Sequence, residues 1–233
     1  MKAFALATTM SLAFAAHANA QGAAVAALAP TMNWSGCYIG ASVGIGRLRD
    51  VGHDLFRGHI TREQPIGTQN LESAKFGALA GCNLQTGHVV LGVEGDIETA
   101  AFRGAADYAN TGGPPPDSYT IRSDFQASLR GRLGLAFDRT LIYATAGTAM
   151  ARITHIYFQN GNGSTQAFTH DRWGPTVGFG LEHAFTPNLV GRLEYRYSDF
   201  GSVTNTTRIY AAGYQQYQAN FEHAVRAAVL FKF

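Results

Sequence analysis

Acidic and basic side chains at alternate positions are the residues of this chain that could do chemistry together. Glu94, Asp96 and Glu98 follow one another at a spacing of two, and Arg130 and Arg132 repeat that spacing later in the chain. Charges grouped in this way can line or gate a narrow path for water and ions, or they can neutralise one another in a closed interior. The full set contains equal numbers of acids and bases: Glu94, Asp96, Glu98, Glu182, Glu194, Arg130, Arg132, Arg192, Arg196 and Arg226.

The remaining polar residues do not indicate catalysis, a metal or a nucleic acid. His53 and His59 have Asp54 nearby but lack the cysteine or carboxylate spacing of a zinc site, so a surface role is expected for them. No Ser–His–acid constellation stands out, and the formal charge of +2 carries no clustered basic face. We therefore expect no enzyme activity, no cofactor and no nucleic-acid partner. The other histidines lie in a predicted loop or near strand ends: His155, His170, His183 and His223.

Alternation of apolar and polar residues defines the strands that must position the charges. In segments 89–97 and 125–137 every second residue is apolar, and the acids or arginines lie between these residues. A period of two predicts strands with one apolar and one polar face. If the two strands are antiparallel neighbours, Glu94 and Arg130 lie at about the same height.

The same pattern predicts eight strands joined alternately by short turns and long loops. Strands of about 10–12 residues, tilted as usual, span the roughly 25 Å apolar band of an outer membrane. The sequence therefore predicts an all-β fold, an eight-stranded antiparallel transmembrane up-and-down β-barrel with short periplasmic turns and long extracellular loops. The predicted strands are 37–46, 74–85, 89–99, 125–137, 141–152, 173–185, 189–200 and 221–233, and the long loops are 47–73, 100–122, 153–171 and 201–219.

Alternation alone does not say which face points outward. A soluble, lipocalin-like periplasmic binder would hold the apolar faces inside. Glycine and serine at positions 40, 42, 44 and 46 favour a crowded polar lumen, and the balanced charges agree with it. Aromatic residues near strand ends are typical of membrane girdles. Those expected in the girdles are Trp34, Tyr38, Phe102, Phe125, Phe137, Tyr143, Trp173, Tyr195 and Tyr197.

The N-terminus has the features of a secretory signal. Lys2 precedes an apolar segment, and an A-x-A site ends at Ala20, which predicts a mature start at Gln21. We expect a signal peptide over 1–20, a flexible lead-in over 21–33 and the barrel domain over 34–233. No apolar run long enough for a transmembrane helix follows the leader.

Cys37 and Cys82 are the two cysteines of the chain, and export places them in an oxidising compartment. In the predicted layout both lie at the periplasmic rim of the first two strands, on the apolar face. Neighbouring antiparallel strands can bring such side chains within disulfide range. We predict a disulfide, with two free thiols as the alternative.

Motifs throughout the mature chain resemble those of the alphaproteobacterial outer-membrane immunogenic protein family, a porin-like branch of the small outer-membrane barrels. The resemblance covers nearly the whole mature chain. It rests on WSGCYIG (34–40), GCNLQ (81–85), LGVEGD (91–96), LRGRLG (129–134), VGFGLE (177–182), LEYRYSDFG (193–201) and the terminal FKF (231–233).

The resemblance implies an integral, surface-exposed protein of the outer membrane without catalytic residues. It also implies that Phe233, with Phe231, forms a terminal signal read by the barrel-assembly machinery. A single chain can close on itself, so a monomer in contact with outer-membrane lipid is expected. The loops could contact host molecules or phage. The expected function is a structural, immunogenic envelope barrel whose lumen is plugged by its ion pairs; the alternative is a narrow porin-like channel for small solutes or ions.

Overall fold

The computed structural model describes residues 32–56, 64–107, 118–209 and 214–233. The predicted signal peptide 1–20, with its cleavage site between Ala20 and Gln21, lies outside this range, as do lead-in residues 21–31 and His59. The last two residues assigned to the lead-in are described. Met32 is only 6% exposed, because it packs into the base of the barrel.

Eight antiparallel strands close into one barrel, in which each strand pairs with its sequence neighbours and the last pairs with the first. This architecture confirms the predicted fold class. Among the described residues, no helix is long and apolar enough to cross a membrane. The strands are β1 (Gly36–Phe56), β2 (Gln64–Thr86), β3 (Val89–Asp107), β4 (Ser118–Phe137), β5 (Thr140–Gln159), β6 (Ser164–Ala184), β7 (Leu189–Thr207) and β8 (Tyr214–Lys232).

The apolar faces point outward and the charged faces point inward. Leu129 and Leu193 are 64% and 57% exposed on the outer wall, whereas Glu94 and Arg130 are each 1% exposed in the lumen. Glu94 and Arg130 are also direct cross-strand partners, as predicted. This orientation excludes the lipocalin-like arrangement, in which the apolar side chains would fill the interior.

The strands are much longer than the sequence analysis predicted. They contain between 19 and 23 residues, so most of the segments assigned to long loops are strand. For example, the segment 153–171 is strand except for the turn at 160–163. The predicted ends were wrong because the outward face becomes polar there, whereas the inward face stays apolar through Leu48, Leu71 and Ile121. A barrel that has its own apolar interior needs no lipid around it to hold its strands together.

At the opposite end of the barrel, short turns join β2 to β3, β4 to β5 and β6 to β7. Gly87 and Asp138 take positive φ angles of 61° and 52° in the first two turns, which tight hairpin connections require. Both ends of the described chain lie at this end as well, because Tyr38 pairs with Lys232. In outer-membrane barrels the short turns face the periplasm.

Candidate functional site

The ten charged residues predicted to face the lumen come together in its middle. Each is between 1% and 5% exposed. Strands β3, β4, β6, β7 and β8 supply them from opposite walls of the barrel, since period-two alternation turns every second side chain of each strand inward. They form one continuous network of ion pairs, which we call the ionic layer.

Arg130 occupies the centre of the ionic layer. Its Nη1 atom lies 2.7 Å from an oxygen of Glu194, and its Nη2 atom lies 2.6 Å from Glu94 and 2.9 Å from Asp96. Arg130 is on β4, its two acids Glu94 and Asp96 are on β3, and Glu194 comes from β7 across the lumen. One guanidinium group thus ties three carboxylates from two strands.

Below Arg130, two arginines share one carboxylate. Arg132 and Arg192 each place a guanidinium nitrogen 2.6 Å from Glu182 Oε1. Arg192 also lies 2.6 Å from Glu94, which links this group to the centre. Above Arg130, Arg196 lies 2.9 Å from Asp96, and both Arg196 and Arg226 contact Glu98; Arg226 also contacts Glu194.

The structure adds Lys75 and Glu222, which the sequence analysis missed. Lys75 Nζ lies 2.9 Å from Glu98 and 2.5 Å from Glu222, and both side chains are buried. Gln126 donates one hydrogen bond from its amide nitrogen to Glu222 and accepts one from Lys75 at 2.6 Å. Alternation already placed Lys75 and Glu222 on polar faces and could have identified both. With them, the layer contains six acids and six bases.

Two tyrosines lie inside the barrel, on the periplasmic side of the ionic layer, and do not face lipid. Tyr38 donates a hydrogen bond to Glu94 at 2.6 Å, and Tyr143 donates one to Glu194 at 2.7 Å. The Arg132 guanidinium lies over the Tyr143 ring, 4.2 Å from its centroid. Such stacking provides a cation–π contact in addition to the hydrogen bonds.

The expected aromatic girdle is partly wrong. Four of the residues assigned to it lie inside the barrel and are at most 3% exposed: Trp34, Tyr38, Phe102 and Tyr143. Trp34 enters the base of the barrel, and strand alternation turns the other three inward. Phe125, Phe137 and Trp173 do face outward, with 37%, 55% and 65% exposure. Tyr195 and Tyr197 are half-buried on the outer wall.

Apolar layers lie on both sides of the ionic layer. At the periplasmic base, Trp34 and Met32 pack among inward residues such as Leu79 and Leu230. Toward the other end, a second cluster includes Phe102 and Ile121. The ionic layer thus has an apolar cluster on each side, and the upper cluster shares the lumen with buried polar groups such as Asp50 and Gln218.

The two histidines in the predicted loop 153–171, His155 and His170, lie on strands. His155 of β5 is 1% exposed, and its Nε2 atom is 3.7 Å from the buried carboxylate of Asp50. Asp50 also accepts a hydrogen bond from Asn220 at 2.6 Å. His170 of β6 pairs with Asn205 at 2.9 Å. In the part of the chain that the structure describes, no group of three or more His, Cys, Asp or Glu side chains could hold a metal ion.

Cys37 and Cys82 are direct cross-strand partners and form a disulfide, with their Cα atoms 4.0 Å apart. The bond joins β1 to β2 at the periplasmic base, on the outward face. The terminal aromatic residues Phe231 and Phe233 also point outward, 54% and 67% exposed. The Phe233 backbone N–H donates a hydrogen bond to the Cys37 carbonyl at 3.0 Å, so the chain end is anchored to β1.

Comparison with known proteins agrees with this architecture. The family model of the outer membrane protein beta-barrel domain matches residues 4–232. The 25 kDa outer-membrane immunogenic protein of Brucella ovis is 32% identical over 78% of this chain and 77% of its own length. The 22 kDa outer membrane protein of Rhizobium leguminosarum bv. viciae is 30% identical over 74% of this chain and 67% of its own length.

Among solved structures, the outer membrane protein OprG of Pseudomonas aeruginosa superposes with a TM-score of 0.58 over 88% of this chain and 100% of that chain. Its sequence identity of 12% makes this a likeness of fold alone. The relatives are outer-membrane proteins, and the lipid-facing barrel described above is the fold such proteins have. The chain therefore belongs to the outer membrane protein beta-barrel domain family, with alphaproteobacterial immunogenic proteins among its relatives, and is an integral protein of the bacterial outer membrane.

Proposed function

We propose that this protein is a structural, non-conducting barrel of the outer membrane that presents its external end at the cell surface. The observation that supports this proposal is the equal number of acids and bases in the buried ionic layer, six of each, with direct contacts across the lumen. An eight-stranded barrel has an interior just wide enough for side chains to fill. The ionic layer acts as its plug.

The energetics of burial support a plug over a pore. A charge held away from water is costly when it is alone, and direct pairing offsets much of that cost. Breaking one buried pair typically costs about 3–5 kcal/mol. An open path through this lumen requires several of the pairs around Arg130 to separate together, and it must also pass the apolar layers above and below them.

Substitution of Arg130 tests the proposal. We expect Arg130→Ala to lower the stability of the barrel by about 3–5 kcal/mol, because three buried carboxylates lose their shared partner. Conductance in planar bilayers should stay close to the wild-type baseline. The gel shift on boiling and urea unfolding report stability, and Arg152→Ala serves as the control because Arg152 forms an exposed pair with Asp171. A large rise in conductance with unchanged stability would reject the plug.

A narrow porin-like channel for small solutes or ions is the alternative function. It is favoured by the position of the charges along the barrel axis and by the Nε–H groups of Arg130, Arg132 and Arg226, which have no acceptor among the described residues. A channel predicts discrete single-channel currents from the wild-type protein in planar bilayers. Their absence at high protein occupancy supports the plug.

The remaining roles are proposed on the same basis. The mature chain begins at Gln21, acts as a monomer without enzyme activity, and is recognised by the barrel-assembly machinery through Phe231 and Phe233. Closure of β1 onto β8 within one chain supports the monomer. The external end, where the strands extend past the lipid-facing band, is available to host or phage molecules. Membrane fractionation with the boiling shift, followed by N-terminal sequencing, tests location and cleavage together.

A further inference from the structure

A band of outward-facing charged residues begins where the lipid-facing residues end, on the side of the barrel away from the periplasmic turns. In this band Arg47 pairs in register with Glu72, and Arg152 pairs in register with Asp171. Both couples form ion pairs on the exposed surface, the second at 2.7 Å. A third outward arginine, Arg49, lies opposite Asn70 and over the Phe221 ring, so none of these three arginines faces another arginine.

One position breaks this arrangement. Arg103 of β3 is the direct cross-strand partner of Arg122 of β4, and both side chains are exposed. Neither forms an ion pair or hydrogen bond within the described part of the chain. Like charges directly opposite each other on a sheet repel and are destabilising. Asp124 is exposed at the bulge beside Arg122 and offsets only one of the two charges.

The surroundings of this arginine pair resemble a membrane interface. Arg122 is the next outward residue above Phe125, because Ser123 points inward and Asp124 is the bulge residue. Phe125 is 37% exposed on the lipid-facing wall. Below it, Leu129 is 64% exposed. On the other side of Arg122, its partner on β5 is Thr154, whose hydroxyl is hydrogen-bonded to that of Thr169. Two guanidinium groups and two hydroxyls thus form one row just above the apolar band.

We propose that Arg103 and Arg122 together bind the phosphate of a lipid headgroup in the outer leaflet. Guanidinium groups bind phosphate bidentately, and two of them side by side match its charge and its several acceptor oxygens. An anion between them also offsets their mutual repulsion and supplies the negative charge that Glu72 supplies to Arg47 and Asp171 supplies to Arg152. The acyl chains of such a lipid would lie along the wall below, over Phe125 and Leu129. The site depends on the outer-membrane location and is independent of whether the lumen conducts.

Native mass spectrometry of the folded mature barrel in neutral detergent tests the site, with diphosphoryl lipid A as the probe. We expect Arg103→Gln/Arg122→Gln to weaken lipid binding by about 30-fold, given the usual contribution of each of two basic residues near an anionic membrane surface. Arg47→Gln/Arg49→Gln removes the same number of charges from the same band on β1, away from β3 and β4, and serves as the matched control; it should bind nearly as the wild type does.

Arg122→Glu provides a second variant that keeps the fold, because it recreates at this position the Arg–Glu pairing of Arg47 and Glu72. It should also lose the lipid. If the double Arg→Gln variant and the control lost the same amount of lipid binding, the effect would be one of general surface charge and the proposal would be overturned. Undiminished lipid binding in both the double variant and Arg122→Glu would overturn it as well. Dephosphorylated lipid A should bind weakly in all cases. Inorganic phosphate that binds the wild type as tightly as the lipid does would overturn the assignment to a headgroup.

Discussion

Glycines opposite tyrosines on the inward faces leave room in the lumen for the tyrosine rings beside the charged side chains. Tyr38 is the cross-strand partner of Gly81, and Tyr143 is the partner of Gly180. A Cβ atom added at either glycine would lie 2.6 Å from the Cζ atom of the facing tyrosine. Glycine therefore occurs on these inward faces because the ring occupies the space of the missing side chain.

Gly180→Val should push the Tyr143 ring from its position and break its hydrogen bond to Glu194. We expect a loss of about 1–3 kcal/mol, the usual cost of adding atoms to a packed interior. Urea unfolding in lipid vesicles, followed by fluorescence and the boiling shift, measures the change. Gly131→Val is the control, because a Cβ there meets only a backbone oxygen at 3.9 Å and points to lipid. Equal stabilities for the two variants would contradict this account.

At the scale of elements, the strands are held by an apolar lumen beyond the membrane as well as by lipid within it. The upper parts of β5 and β6 remain paired in register up to Gln159 and Ser164. Inward residues Ile153 and Tyr157 are fully buried there. These strand ends form an extension of the barrel that is enclosed by its own side chains.

Hydrogen–deuterium exchange should distinguish a strand from a loop in this extension. We expect slow exchange over 153–158, which is paired on both sides, and at the amides of 164–171 that point to β5, but fast exchange at the turn 160–163. Exchange over 164–171 as fast as in the turn would show that the long loops predicted from the sequence are the better description.

The disulfide between Cys37 and Cys82 should form in the exported protein and stabilise the pairing of β1 with β2. In a chain-entropy description, a closed segment of this length contributes up to about 4 kcal/mol, and the two cysteines are separated by 45 residues. Alkylation without reductant should leave the mass unchanged, and Cys37→Ser/Cys82→Ser should unfold at lower urea. Two alkylated thiols in the native protein would end this interpretation.

At the scale of the whole molecule, closure and layering act together. β1 pairs with β8 from Tyr38–Lys232 to Phe56–Tyr214, so that the sheet closes on itself. Toward the external end, the pairing of β2 with β3 stops at Lys75–Ala100 and that of β6 with β7 at Thr176–Ser198. The apolar base, the ionic layer and an upper part with both apolar and polar side chains then fill the lumen of the described barrel. A barrel of this kind needs no second copy to close its sheet.

Phe233 should act in assembly more than in stability, since its exposed ring contributes little to the interior. We expect Phe233→Ala to reduce the fraction of heat-modifiable barrel in the outer membrane of expressing cells. Refolding of the purified variant into detergent should be nearly normal. Phe185→Ala is a matched control, because that ring is 60% exposed at the same end of the barrel. Equal assembly of the two variants would remove the special role of the terminal residue.

The sequence by itself determined the number of strands, the lipid-facing and lumen-facing sides, and the pairs Glu94–Arg130 and Cys37–Cys82. These follow from local alternation and from the register of neighbouring strands, which short turns specify. It also contained Lys75 and Glu222 on the correct faces. Their contact depends on closure of the barrel, which pairs β8 with β1 and so leaves only one strand between β8 and β2.

Only the tertiary structure decided where the strands end and what fills the lumen beside the charges. The strand ends could not be predicted because the outward residues there are polar, a composition that is typical of loops. The inward apolar residues of these segments form a core only after the barrel closes. The burial of Tyr38, Tyr143 and Asp50 has the same origin. Their neighbours come from strands distant in sequence, and curvature of the closed sheet, which no local pattern encodes, brings these neighbours together.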